Sequence, residues 1–122
     1  MARILIVDDD LDIIEAGRVM LELAGHEVLA AGSYQEGLDA ALEHKPDLMI
    51  LDVMMDEPDD GFALAQDLRG RGIKAPIIML TSVSRVTGLQ FGPDSELLPV
   101  DDFLEKPVDP ALLQEKVRAL LN

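Results

Sequence analysis

Two short apolar runs that end on carboxylates constrain this chain more than any other feature. Met1-Ala2-Arg3-Ile4-Leu5-Ile6-Val7, apolar or small except for Arg3, runs into Asp8, Asp9 and Asp10; Leu48-Met49-Ile50-Leu51 ends on Asp52. A strand buried on both faces of a parallel sheet reads as such a run, and α/β folds bind ligands at the carboxyl ends of their strands. Two such strands side by side bring several carboxylates close together. They repel one another unless a hard cation sits among them. The sequence therefore points to an acidic, metal-requiring pocket.

Composition narrows the reading further. At 122 residues and 48% hydrophobic content, the chain fits one domain over 1–122 with a real core. A net charge of −14 argues against direct nucleic-acid contact and suits a cation or a partner with a basic face. The absence of Cys excludes disulfides and thiolate metal sites. The first apolar run is too short for a secretory segment, and no stretch has membrane-spanning length, so a cytoplasmic protein without membrane insertion is expected.

Along the chain, strand and helix alternate. Arg3–Val7 reads as a strand, followed by a helix with Ile13, Ala16, Met20 and Leu23 on one face and Gly25 as its stop. Glu27–Ala31 is a second strand. Ser33 followed by Glu36 is a capping-box signature, opening a helix striped by Tyr34, Leu38, Ala41 and Leu42. After Pro46 and the strand Leu48–Leu51, a helix carries Gly61, Leu64, Ala65 and Leu68 and stops near Gly70 and Gly72. Pro76 introduces the strand Ile77–Leu80, which runs into Thr81-Ser82. The stretch Ser84–Pro99 holds two glycines and two prolines, which predicts a short or displaced helix. Val100–Glu105 reads as a fifth strand; Asp109-Pro110 caps a last helix with Leu113, Val117, Leu120 and Leu121 on one face. These βα units imply a doubly wound, five-stranded parallel sheet with helices on both faces.

Asp8 and Asp9, Asp52, Thr81 and Lys106 then converge on one sheet edge, each just after a different strand. With Ile6-Val7-Asp8-Asp9-Asp10, Leu51-Asp52-Val53-Met54, Leu80-Thr81-Ser82 and Phe103-Leu104-Glu105-Lys106-Pro107, the chain resembles, over essentially its whole length, the receiver domain of two-component response regulators. Each motif alone is weak; four in order at strand ends are specific. The resemblance implies the flavodoxin-like strand order 2-1-3-4-5.

It also implies roles. Asp52 is the phosphoacceptor, since a carboxylate can attack phosphorus to give an aspartyl phosphate. Asp9 and Asp8, with Asp52 and the Met54 carbonyl, hold Mg²⁺ (or Mn²⁺), an ion suited to oxygen ligands. Lys106 and Thr81 contact the phosphoryl oxygens, Pro107 matches a cis-proline that aims Lys106, and Thr81 with Phe103 forms the switch that phosphorylation biases. The expected partners are a histidine kinase or histidine phosphotransfer protein and a downstream effector. The domain would act as a signalling phosphoacceptor, catalysing only its own phosphorylation and a slow dephosphorylation. The slowness is expected because Met54 and Val83, at positions that orient water in the family pattern, are apolar.

Plainer readings exist for single residues. Asp10 reads as a helix cap, Phe103 alone as core, and Lys106-Pro107 alone as a turn. Asp56, Glu57, Asp59 and Asp60 read as a solvated loop, Met49, Met54, Met55 and Met79 as core and pocket lining, and His26 and His44 as exposed. Two departures from the family pattern stand out. The segment from Met54 to Gly61 is longer and more acidic than the usual turn, and Thr81 and Lys106 stand 25 positions apart. A haloacid-dehalogenase-type phosphatase would need a second Asp where Met54 stands. A flavodoxin would need a hydroxyl- and Gly-rich loop where Asp8-Asp9-Asp10-Leu11-Asp12 stands. The remaining alternative is a receiver-like binding scaffold not regulated by phosphorylation.

Overall fold

The computed structural model describes residues 2–53, 55, 60–81, 100–106 and 108–121. The expectations for Met54, Val83, Pro107, the 56–59 loop and Ser84–Pro99 lie outside them. Strands β1 (Arg3–Val7), β2 (Glu27–Ala31), β3 (Leu48–Asp52), β4 (Ile77–Thr81) and β5 (Asp102–Glu105) alternate with helices α1 (Leu11–Leu23), α2 (Tyr34–His44) and α3 (Asp60–Gly70). Helix α4 (Pro110–Leu121) follows β5. All strand pairs are parallel, in the order β2-β1-β3-β4-β5.

Alternation along the strands builds two cores. Leu5, Val7, Met49, Leu51, Ile77 and Met79 face α2 and α3 and pack with Leu38, Ala41, Leu64 and Leu68. Ile4, Ile6, Leu48, Ile50, Ile78, Leu80 and Leu104 face the other way and pack with Ile14 and Leu21 of α1 and Leu113 and Val117 of α4. Every residue of β3 and β4 is buried, as central strands covered on both faces must be.

Helix starts follow their caps. Asp10 accepts the Asp12 N–H at 2.9 Å, Ser33 Oγ accepts the Glu36 N–H at 3.2 Å, and Asp109 accepts the Ala111 N–H at 2.9 Å. The capping box is shifted by one residue, because Glu36 Oε1 takes the N–H of Gly32 rather than that of Ser33. Gly25 follows α1 with φ 93°, a left-handed conformation that ends the helix at little steric cost to glycine.

Four expectations are corrected. Asp60, read as part of a solvated loop, opens α3 and is half-buried. The buried face of α1 is Ile14, Gly17 and Leu21; Ala16 is exposed and Leu23 is 82% exposed, while Ile13 and Met20 are half-buried. The fifth strand begins at Asp102 rather than Val100, because the Asp101 carboxylate takes the Ile77 N–H at 2.8 Å and pairs with Arg69 at 3.1 Å. His26 is half-buried, and its Nδ1 accepts the Ala2 N–H at 3.1 Å. His44 is exposed, as expected.

Candidate functional site

The carboxyl ends of β1, β3, β4 and β5 meet at one edge of the sheet. Parallel register fixes this: Val7 lies opposite Leu51, Asp52 opposite Leu80, and Thr81 opposite Glu105. Main-chain bonds past the strand ends hold the loops that carry the site. The Asp8 N–H donates to Ala31 O at 3.0 Å, Val53 N–H to Leu80 O at 2.9 Å, and Lys106 N–H to Thr81 O at 2.7 Å.

Asp8 is fully buried, Asp52 and Thr81 are buried, and Asp9 is exposed at the rim. Lys106 Nζ lies 2.9 Å from Asp8 Oδ2 and 3.2 Å from Asp52 Oδ1, so one ammonium bridges two buried carboxylates. The other Asp8 oxygen accepts the Asp10 N–H at 2.9 Å. Burial alone would push the Lys106 ammonium below the ordinary lysine range. The hydrogen bond and charge of Asp8, with Asp52 adding to them, outweigh burial and raise it instead. Lys106 therefore stays charged throughout the physiological range.

One ammonium does not balance the cluster. Carboxylate oxygens of Asp8, Asp9 and Asp52 lie within 4.8 Å of one another. Three formal negative charges against one positive leave room for a divalent cation, and an all-oxygen donor set suits a hard ion such as Mg²⁺ or Mn²⁺. Asp8, Asp9 and Asp52 thus fit the metal-binding expectation. Asp10 lies apart from it, as the cap of α1.

Two features escaped the sequence reading. The first is Gly61 in the first turn of α3: a Cβ there would overlap the Asp52 carbonyl oxygen and lie 2.8 Å from Val53 Cα. The Gly61 N–H also donates to Val53 O at 2.9 Å, so α3 rests directly on the main chain that carries Asp52. The only signal was a glycine inside an otherwise apolar stripe. The second is Phe62, whose ring sits 6.4 Å from that of Phe103 at an interplanar angle of 53°. Nothing in the spacing of the two residues announces that contact.

The family profile of the response regulator receiver domain matches residues 4–118. The chain is a member of that family. The Bacillus subtilis (strain 168) alkaline phosphatase synthesis transcriptional regulatory protein PhoP is 35% identical over 124 residues, covering 98% of this chain and 48% of PhoP. Response regulator MprA of Mycobacterium tuberculosis (strain ATCC 25177 / H37Ra) is 42% identical over 124 residues, covering 98% of this chain and 50% of MprA. The solved structure of Vibrio cholerae chemotaxis protein CheY4 matches with TM-score 0.86 and 29% identity, covering 99% of each chain. The chain spans about half the length of the curated relatives it matches.

In this receiver domain the expected strand order is the observed one. Phe103, on β5 opposite Met79, is half-buried and packs at the edge of the core shared by α2 and α3. Met49 and Met79 are fully buried and Met55 is half-buried, as their reading as core and lining required. Among the described residues no helix is long and apolar enough to cross a membrane.

Proposed function

We propose that this receiver domain is a phosphoacceptor in two-component signalling, with Asp52 taking a phosphoryl group from a histidine kinase or histidine phosphotransfer protein. The observation that carries the reading is the bridging of buried Asp8 and Asp52 by Lys106, beside the rim carboxylate of Asp9. A solvated acidic loop would have no need of a buried lysine shared between two strand ends.

In this reading an Asp52 carboxylate oxygen forms a bond to phosphorus as the bond from phosphorus to the donor nitrogen breaks. The leaving imidazole keeps the electron pair and takes up a proton. Such a transfer needs positioning and charge neutralisation more than covalent help. Lys106, already held at the acceptor, follows the new negative charge onto the phosphoryl oxygens, and the Thr81 hydroxyl donates to another of them. Asp8, Asp9 and Asp52, with the Met54 carbonyl added by the family pattern, would hold Mg²⁺ (or Mn²⁺), which would supply the remaining positive charge. Thr81 and Phe103 are the switch, and Pro107 aims the Lys106 loop. The output is a changed surface for a downstream effector in the cytoplasm, and dephosphorylation is slow because neither Met54 nor Val83 can orient a water. Met54→Asn and Val83→Glu are expected to hasten phosphate loss.

Beryllofluoride, which mimics the phosphoryl group on a carboxylate, separates this reading from a scaffold indifferent to phosphorylation. Backbone amide resonances of Thr81, Phe103 and Lys106 are expected to shift only when beryllofluoride and Mg²⁺ are both present. Resonances that ignore the pair would favour the scaffold.

A further inference from the structure

The acceptor and the aromatic residue of β5 are joined by a second route that does not pass through Thr81. Gly61 allows α3 to rest on the Asp52 carbonyl, leaving no space even for a methyl group between them. Any movement of the Asp52–Val53 main chain is therefore passed to the first turn of α3, since close-packed contacts transmit displacement. The next residue is Phe62, and its ring meets Phe103 with centroids 6.4 Å apart. That separation and the tilt of the two planes lie within the range in which aromatic pairs attract. Both rings are half-buried and pack at the edge of the core.

We infer that Phe62 is a positioning residue for the switch, holding Phe103 in the place it occupies before phosphorylation. The inference rests on the phosphoacceptor reading of Asp52 and adds to it the restraint that phosphorylation overcomes. A contact made in one state and lost in the other biases their equilibrium by its own free energy. An aromatic pair of this kind shifts such an equilibrium roughly two- to tenfold. Phe62 thus sets how much phosphoryl-like ligand is needed to turn the switch.

The chain contains three phenylalanines, Phe62, Phe91 and Phe103, so uniform fluorophenylalanine labelling gives three ¹⁹F signals that single Leu substitutions assign. Titration with beryllofluoride in saturating Mg²⁺ then reports the Phe103 switch directly. In Phe62→Leu the Phe103 signal is expected to lie nearer its beryllofluoride-bound position before any is added. The midpoint should fall roughly two- to tenfold. Phe62→Tyr, which keeps the ring, should restore the parental midpoint, a rescue that a general loosening of the core would not give. Should Phe62→Leu unfold, Phe62→Met keeps the bulk without the ring and repeats the comparison. A responsive parent whose midpoint is unchanged or raised in the ringless variants overturns the role of Phe62 alone. A parent whose signals ignore beryllofluoride with Mg²⁺ overturns the phosphoacceptor reading and the inference with it.

Discussion

The two ends of the sheet use the same chemistry to different effect. At the carboxyl end, Lys106 and Asp8 are 2.9 Å apart with side-chain exposures of 16% and 0%. At the amino end, Arg3 and Glu27 are 3.2 Å apart with exposures of 43% and 54%. Water and salt screen the second pair, which therefore adds little stability. Its partners instead tie strand starts together: the Arg3 N–H donates to Asp47 Oδ2 at 2.8 Å, and its guanidinium donates to His44 O at 3.1 Å. The first pair is only partly compensated, because Asp52 shares the same ammonium and Asp9 adds a third carboxylate to the cluster. Burial turns an interchangeable surface contact into a charge imbalance that ligands can correct.

Replacing a member of each pair is the sharpest way to break that contrast. Lys106→Met leaves buried Asp8 without its counter-charge and is expected to cost about 3 kcal/mol in urea unfolding. The raised Lys106 pKa means that its contribution is present in full below the ordinary lysine range and is lost only as pH rises above it. A cost near that of an exposed pair would erase the distinction between the two ends. Gly61→Ala comes next, at about 2 kcal/mol, because the added methyl overlaps the Asp52 carbonyl. Amide shifts for that variant should centre on Asp52 and Val53; shifts confined to α3 would mean the helix simply moves away.

Smaller effects sharpen the comparison. Mg²⁺ at roughly tenfold over its Kd should stabilise the parent by about 1.4 kcal/mol, and Asp9→Ala should lose most of that gain. An Asp9→Ala protein that gains as much as the parent would remove Asp9 from the ligand set. Smallest of all, Arg3→Gln should cost about 0.5 kcal/mol, fading further in high salt. Thermal unfolding in low and high salt checks it, and a large salt-independent loss would show that the guanidinium's hydrogen bond to His44 O matters more than its charge.

How much was legible in the sequence follows the same physics. Central strands such as Leu48–Asp52 and Ile77–Thr81 were readable because burial on both faces demands an unbroken apolar run. Asp8, Asp9, Asp52 and Lys106 were readable as a set because parallel register brings strand ends to one edge. The face of α1 was not. Ile13, Ala16, Met20 and Leu23 make one apolar stripe and Ile14, Gly17 and Leu21 another, and hydrophobicity alone does not choose between them. Gly17 lies on the buried stripe, where a Cβ would lie 2.8 Å from Ile6 Cδ1. A glycine carries no hydrophobic signal, so its place on the buried face is silent in the pattern. Gly61 is silent for the same reason. The start of β5 was misplaced because Asp101 pairs through its side chain with the β4 main chain, a long-range bond that local composition does not encode.

The destination of the phosphoryl group is the property on which the role of Asp52 rests. Incubating the protein with Mg²⁺ and a small phosphodonor, and weighing it intact, asks this directly. The expected result is a single added phosphoryl group that requires Mg²⁺ and is absent in Asp52→Asn. Undiminished labelling of Asp52→Asn, or no labelling of the parent at any Mg²⁺ concentration, would contradict it.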